Sequence, residues 1–190
     1  MRGSANQQRI VDDDINSLRI CCRLIKSLAY SFDSLEDSSQ QHMKLAFHCA
    51  SKLTCQICYL FKLEGNFPGG ARATTLLSSG KQVSVDLAQG GIIATQMNRF
   101  LQNGVLIRPV VILDEDIFTE TTDDLDREIL PIKAEECSIM MGVVPGYSKF
   151  NKVSGFMIAI RSLPAASFDL EEQLICEVLC NCCSQSLPLL

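Results

Sequence analysis

The chain has 190 residues, 47% hydrophobic and 21% charged, with a net charge of −5. That length fits one domain able to bury a core, and the balance lies far from that of disorder. The lysines and arginines are scattered, which argues against a nucleic-acid surface, and no run reaches the roughly 18 apolar residues that span a bilayer.

Residues 1–9 are polar and read as a disordered or expression-derived N-terminus, opening Met1-Arg-Gly-Ser4. Residues 10–187 read as a single domain cut from a longer protein. From Ile10 to Ser31, Val11, Ile15, Leu18, Cys22, Ile25 and Ala29 recur at spacings of four and three, which predicts a long amphipathic helix with a heptad stripe. Ser34 and Asp37 resemble a capping box, and Leu35, Met43, Ala46, Phe47, Ala50 and Leu53 give the next helix its expected apolar stripe.

Thr54–Leu63 then reads as a strand, Glu64–Gly70 as a turn, and Arg72–Ser78 as the hairpin partner. Asp86 and Gln89 are the expected cap of a helix from Gly91 to Leu101, which Asn103-Gly104 closes. Val105–Leu113 reads as a strand, followed by an acidic surface loop through Asp126. Cys137–Pro145 and Ser154–Leu163 read as adjacent buried strands leading into an apolar helix that opens Phe168-Asp-Leu-Glu-Glu172.

Ten cysteines without a secretory leader imply a reducing, cytoplasmic setting, where cysteine serves as a small hydrophobe. Cys55 and Cys58 have the spacing of a metal or redox pair, but on a strand residues three apart face opposite ways. Cys176, Cys180 and Cys183 share one helical stripe, with Cys182 beside it, and read as packing. The seven carboxylates between Asp114 and Asp126 lack the glycine that an EF-hand loop needs, so a solvated loop is expected there. His42 and His48 lie six apart on a helix and face different directions. Gly-x-Ser-x-Gly, the P-loop and Gly-x-Gly-x-x-Gly are absent from the sequence. No metal, cofactor or catalytic residue is expected.

The order of elements, with four segments in sequence, resembles a GAF domain: Gly90-Gly-Ile-Ile-Ala-Thr-Gln-Met97, Gly104-Val-Leu-Ile-Arg-Pro-Val-Val-Ile-Leu-Asp114, Ile139-Met-Met-Gly-Val-Val-Pro145 and Gly155-Phe-Met-Ile-Ala-Ile160. The resemblance implies an α+β fold. A central antiparallel sheet of five or six strands would carry the N- and C-terminal helices on one face and a pocket-side helix on the other. It implies a regulatory or sensory domain that dimerises and takes a small ligand, a cyclic nucleotide among the candidates, to control a larger signalling protein. The alternatives are a GAF- or PAS-like interaction scaffold without ligand, and a GAF-type free methionine-R-sulfoxide reductase. Those reductases place their cysteines mid-domain, where this chain has none between Cys58 and Cys137.

Cyclic-nucleotide-binding members write Asn-Lys after the last strand and Phe-x3-Asp-Glu at the final helix. Here the chain has Arg161-Ser162, then Phe168 with Glu172-Gln173. Arg161 and Glu172 are the pair available to replace that lysine–aspartate bridge. The expected ligand pocket is bounded by Gln89–Thr95, Leu106–Val110 and Asp114–Thr122. Its lining is Ile92, Ile93, Thr95, Arg108, Asp114, Thr121 and Thr122, with the guanidinium of Arg108 suited to an anion. The expected dimer interface, or equivalent contact within a parent protein, uses Val11, Ile15, Leu18, Cys22 and Ile25 with Leu174 and Val178 of the final helix. No nucleic-acid partner and no membrane insertion are expected.

Overall fold

The computed structural model describes residues 38–65, 70–88, 91–102, 110–112, 137–146, 153–162, 164 and 167–186, together with Arg19, Arg23 and Ile129. The chain divides into two compact units, Met1–Leu35 and Glu36–Leu190. In the first unit Arg19 and Arg23 are helical and exposed. The stripe expected from Val11 to Ala29 lies outside the described residues.

The second unit runs α1 (Ser38–Lys52), β1 (Ile57–Glu64), β2 (Arg72–Leu76), β3 (Gln82–Asp86), α2 (Ile92–Gln102), β4 (Val110–Ile112), β5 (Cys137–Pro145), β6 (Val153–Ser162) and α3 (Leu170–Ser186). One six-stranded sheet holds the strands in the order β3-β2-β1-β6-β5-β4. Every pairing is antiparallel. The α+β fold and the strand number are those expected.

Why β6 shows no alternation in sequence is clear from its place. It pairs with both β1 and β5, and Phe156 to Ile160 are buried without a break. A strand covered on both faces reads as a continuous apolar run. On one face Tyr59, Phe61, Phe156, Ile158 and Ile160 join Val83, Val85, Ile92, Met97 and Phe100 in one hydrophobic core, which α2 covers. On the other, Cys58 hydrogen-bonds Cys49 of α1, and Met157 meets Cys176 of α3 at 3.9 Å. Because Leu60 pairs with Met157 and Cys58 with Ala159, α1 and α3 share that second face. The final helix and the Gly91 helix therefore lie on opposite faces, as expected.

Three local expectations are corrected. Gln82–Asp86 is a strand with alternating burial, reached through a turn in which Gly80, at φ 80°, donates to the Leu77 carbonyl at 2.8 Å. Asp86 therefore closes β3 rather than capping α2, and its Oδ1 accepts the Ala88 N–H at 2.9 Å. Phe47 does not join the α1 stripe: it is 78% exposed, while His42, Leu45, Cys49 and Leu53 face the sheet. A helix turning 100° per residue cannot bury positions 46, 47, 49 and 53 against a single surface. Cys55 lies before β1 rather than in it, and its thiol donates to the Ile57 carbonyl at 3.3 Å.

The exit from α1 sets up the main polar site. Cys55 N–H reaches back to the Ala50 carbonyl at 3.0 Å, with Thr54 at φ 48°. This is a Schellman closure with a β-branched residue where glycine is usual, a placement that costs on the order of 1–3 kcal/mol. Something nearby must hold the turn shut.

Candidate functional site

Arg161, near the end of β6, holds it. The residue is 6% exposed, and from β6 its guanidinium reaches both the end of α1 and the start of α3. Nη2 donates to the Leu53 carbonyl at 2.7 Å and Nε to the Thr54 carbonyl at 3.3 Å, the oxygens left unpaired where α1 ends. Nη1 donates to Glu172 Oε2 at 3.1 Å, and Nη2 also pairs with Oε1 of the same carboxylate. The planar fork further stacks over the Phe168 ring, 4.3 Å from its centroid.

Glu172 is placed by its own helix start. Asp169 and Glu172 form a reciprocal capping box: Glu172 N–H donates to Asp169 Oδ1 at 2.8 Å, and Asp169 N–H to Glu172 Oε2 at 3.0 Å. One carboxylate thus caps α3 and neutralises Arg161. The positive end of the α3 dipole and the negative end of α1 meet charges of the favourable sign. Arg161 and Glu172 are thus ion-paired, and the corner couples α1, β6 and α3.

Beneath that corner lies a seam of sulfur. Cys49, Cys58, Cys176, Cys180 and Cys183 are all buried, contributed by α1, β1 and α3. The stripe read from positions 176, 180 and 183 is the inward one, with Cys182 half-buried. A hydrogen bond from Cys176, then burial, raises the Cys180 thiol well above the ordinary value. Cys49 and burial do the same to Cys183, and burial pushes Cys55 up to about 11. Thiols held protonated are poor nucleophiles and poor metal ligands. Among the described residues no group of three or more histidines, cysteines or carboxylates is arranged to hold a metal.

Of the expected ligand residues, Ile92 and Ile93 belong to the core beneath α2, and Thr95 on the same helix is exposed. Arg108, Asp114, Thr121 and Thr122 lie outside the described residues. Asn98 of α2 donates its amide to the Leu87 carbonyl at 2.5 Å, pinning the helix to the end of β3. Of the expected interface residues, Leu174 and Val178 are half-buried on α3. Val11, Ile15, Leu18, Cys22 and Ile25 lie outside the described residues.

The sequence reading did not foresee the part played by Thr54 and the Leu53 carbonyl. A positive φ at a non-glycine residue leaves no trace in composition. Only the helix end at Leu53, followed directly by a strand, hinted at a tight closure.

No helix among the described residues is long and apolar enough to cross a membrane. No protein-family profile matches the chain, and no curated protein matches it. Solved structures do. The GAF domain of an Acinetobacter phosphoenolpyruvate-protein phosphotransferase is 14% identical over 90% of this chain and 92% of its own, with a TM-score of 0.59. The corresponding domain from Coxiella burnetii is 15% identical over 92% and 94%, also at 0.59. The nlh2 GAF domain of A. aeolicus, in an inactive state, is 14% identical over 93% and 98%, at 0.56. Identity this low speaks for architecture alone, and the architecture is the α+β one described above: the chain has the fold of a GAF domain.

Proposed function

We propose that the chain is a regulatory, sensory domain of a larger cytoplasmic signalling protein, non-catalytic, which dimerises through its helical face and takes a small ligand on the α2 side of the sheet. One observation carries the reading. On α3 the apolar residues Leu170, Leu174, Val178 and Cys182 follow one another at spacings of four and run along a single stripe. Leu170 is 83% exposed, and the other three are half-buried. The opposite stripe, with Cys176, Leu179, Cys180 and Cys183, is the one buried. A helix apolar on two sides asks for two partners, and the sheet is one.

The helical face also receives the coupling. The Arg161 corner ties the end of β6 to both helices, so a shift in the sheet is transmitted to α1 and α3 together. Phe47, exposed on α1, adds apolar surface to the same layer. The solved domains of similar architecture come from larger proteins, among them the phosphotransferases named above.

A ligand-free scaffold is the second reading. It is favoured by the packing of Ile92 and Ile93 into the core, which leaves Thr95 as the exposed member of the three described ligand positions. Thermal unfolding with and without millimolar cyclic GMP and cyclic AMP separates the two. The sensory reading expects Tm to rise with ligand concentration, by a stabilisation of about 2.7 kcal/mol at a hundredfold excess over Kd, and expects Arg108→Ala to abolish the rise. A Tm indifferent to both nucleotides would remove them as ligands and favour the scaffold.

A further inference from the structure

His42 is used by none of the interactions that build the helix–sheet corner, and its surroundings are unusual. It sits on the sheet-facing side of α1 and is 6% exposed. One ring nitrogen is committed to the Leu60 carbonyl of β1. The other, Nε2, is buried and has no hydrogen-bond partner among the described residues. The bond to a carbonyl requires a donor, so Nδ1 carries the proton and Nε2 is a bare lone pair.

Leu60, Cys58 and Lys62 alternate onto the face that α1 covers. Of the ionisable groups on β1, Lys62 is the one that acts on His42. Glu172 of α3 is committed to Arg161, and Arg72 of β2 is exposed. None of the described groups acting on His42 is a carboxylate. A second proton on the ring would create a buried cation whose Nε2–H has no acceptor, in the field of another cation. Burying an unpaired charge costs far more than burying the neutral ring.

We propose that α1 is an acid-released element: protonation of His42 expels its ring from beneath the helix, and α1 gives up its seat on β1. Burial, more than the Leu60 bond can offset, holds the folded imidazole below its ordinary 6.5, and Lys62 acts in the same direction. The unfolded or undocked ring therefore binds the proton more tightly. Docking is at full strength above pH 6.5 and weakens as pH falls through that value towards the folded one.

The test is hydrogen exchange of the α1 amides, expressed as a ratio to those of β6 so that the intrinsic pH dependence cancels. The ratio is expected to rise by up to about tenfold per pH unit below 6.5, the slope of a single proton. In His42→Asn, whose amide can still donate to Leu60 but cannot titrate, the ratio is expected to stay flat. His48, the other histidine, is also held low by burial and then by Lys52, and His48→Asn is expected to leave the rise in place. A ratio independent of pH in the wild type, or one that rises equally in His42→Asn, overturns the proposal. Should the variant fail to fold, imidazole NMR on the wild type decides: titration of His42 at or above 6.5, or a proton on Nε2 at neutral pH, overturns it as well.

Discussion

Arg161→Ala is expected to destabilise the domain by about 3–5 kcal/mol in urea-induced unfolding, the range for breaking one side of a buried ion pair. The substitution strands the Glu172 carboxylate, 21% exposed, and leaves the Leu53 and Thr54 carbonyls without the donors that reach them. It also releases a helix closure already strained at Thr54. Arg161→Lys keeps the charge but not the fork. A single ammonium cannot reach two carbonyls and both carboxylate oxygens in one plane, so most of the loss should remain. Glu172→Gln keeps an oxygen for the Asp169 N–H and Arg161 Nη1 but turns an amide NH2 toward Nη2 and leaves the buried guanidinium without its counter-charge, so its loss should be comparable. A loss below about 1 kcal/mol for Arg161→Ala would show the corner to be ornamental, on the scale of an exposed pair.

The second large effect is expected at Gly142 of β5. A Cβ there would lie 2.6 Å from the Cys180 sulfur and 2.9 Å from that of Cys176. Both sulfurs sit on a helix whose position is fixed by the capping box and by Arg161, so α3 cannot simply ride outward. Gly142→Ala is expected to cost about 1–3 kcal/mol, as overpacking does. Cys180→Ala clears the nearer sulfur. The double variant should therefore be more stable than the sum of the single changes predicts, and the cycle should show a coupling of about 1 kcal/mol or more. Strict additivity would mean that the strand and helix are not in the contact described.

How much of this was legible in the sequence depends on how local the physics is. The last two strands and the final helix were legible because their signals are strong. β5 and β6 are apolar runs long enough to need two covered faces, and Phe168-Asp-Leu-Glu-Glu172 holds both halves of a capping box. Helical periodicity alone put Cys176, Cys180 and Cys183 on one stripe, and the structure shows that stripe to be the inward one. β3 was missed although Gln82-Val-Ser-Val-Asp86 alternates cleanly. Five residues after a Ser-Ser-Gly-Lys turn make a weak signal, and Asp86 suited a helix cap equally well. Phe47 was misplaced because a helix's apolar stripe cannot be assigned to a face until the surface it packs on is known. The Arg161–Glu172 pair was available by substitution for a known bridge. Its hold on the α1 carbonyls was invisible, since it joins positions more than a hundred residues apart.

The proposed dimer makes the helical layer an interface as well as a cover for the sheet. Sedimentation equilibrium of the wild-type chain at micromolar concentration, beside a Leu18→Asp, Ile25→Asp variant, tests it most directly. Leu170 and Phe47 are exposed on the helices and Leu174, Val178 and Cys182 are half-buried, and a two-fold pairing of helices would bury this surface on both copies. The expected result is a wild-type dimer and a folded, monomeric variant with unchanged far-ultraviolet circular dichroism. A wild-type chain that remains monomeric at micromolar concentration and above would contradict it.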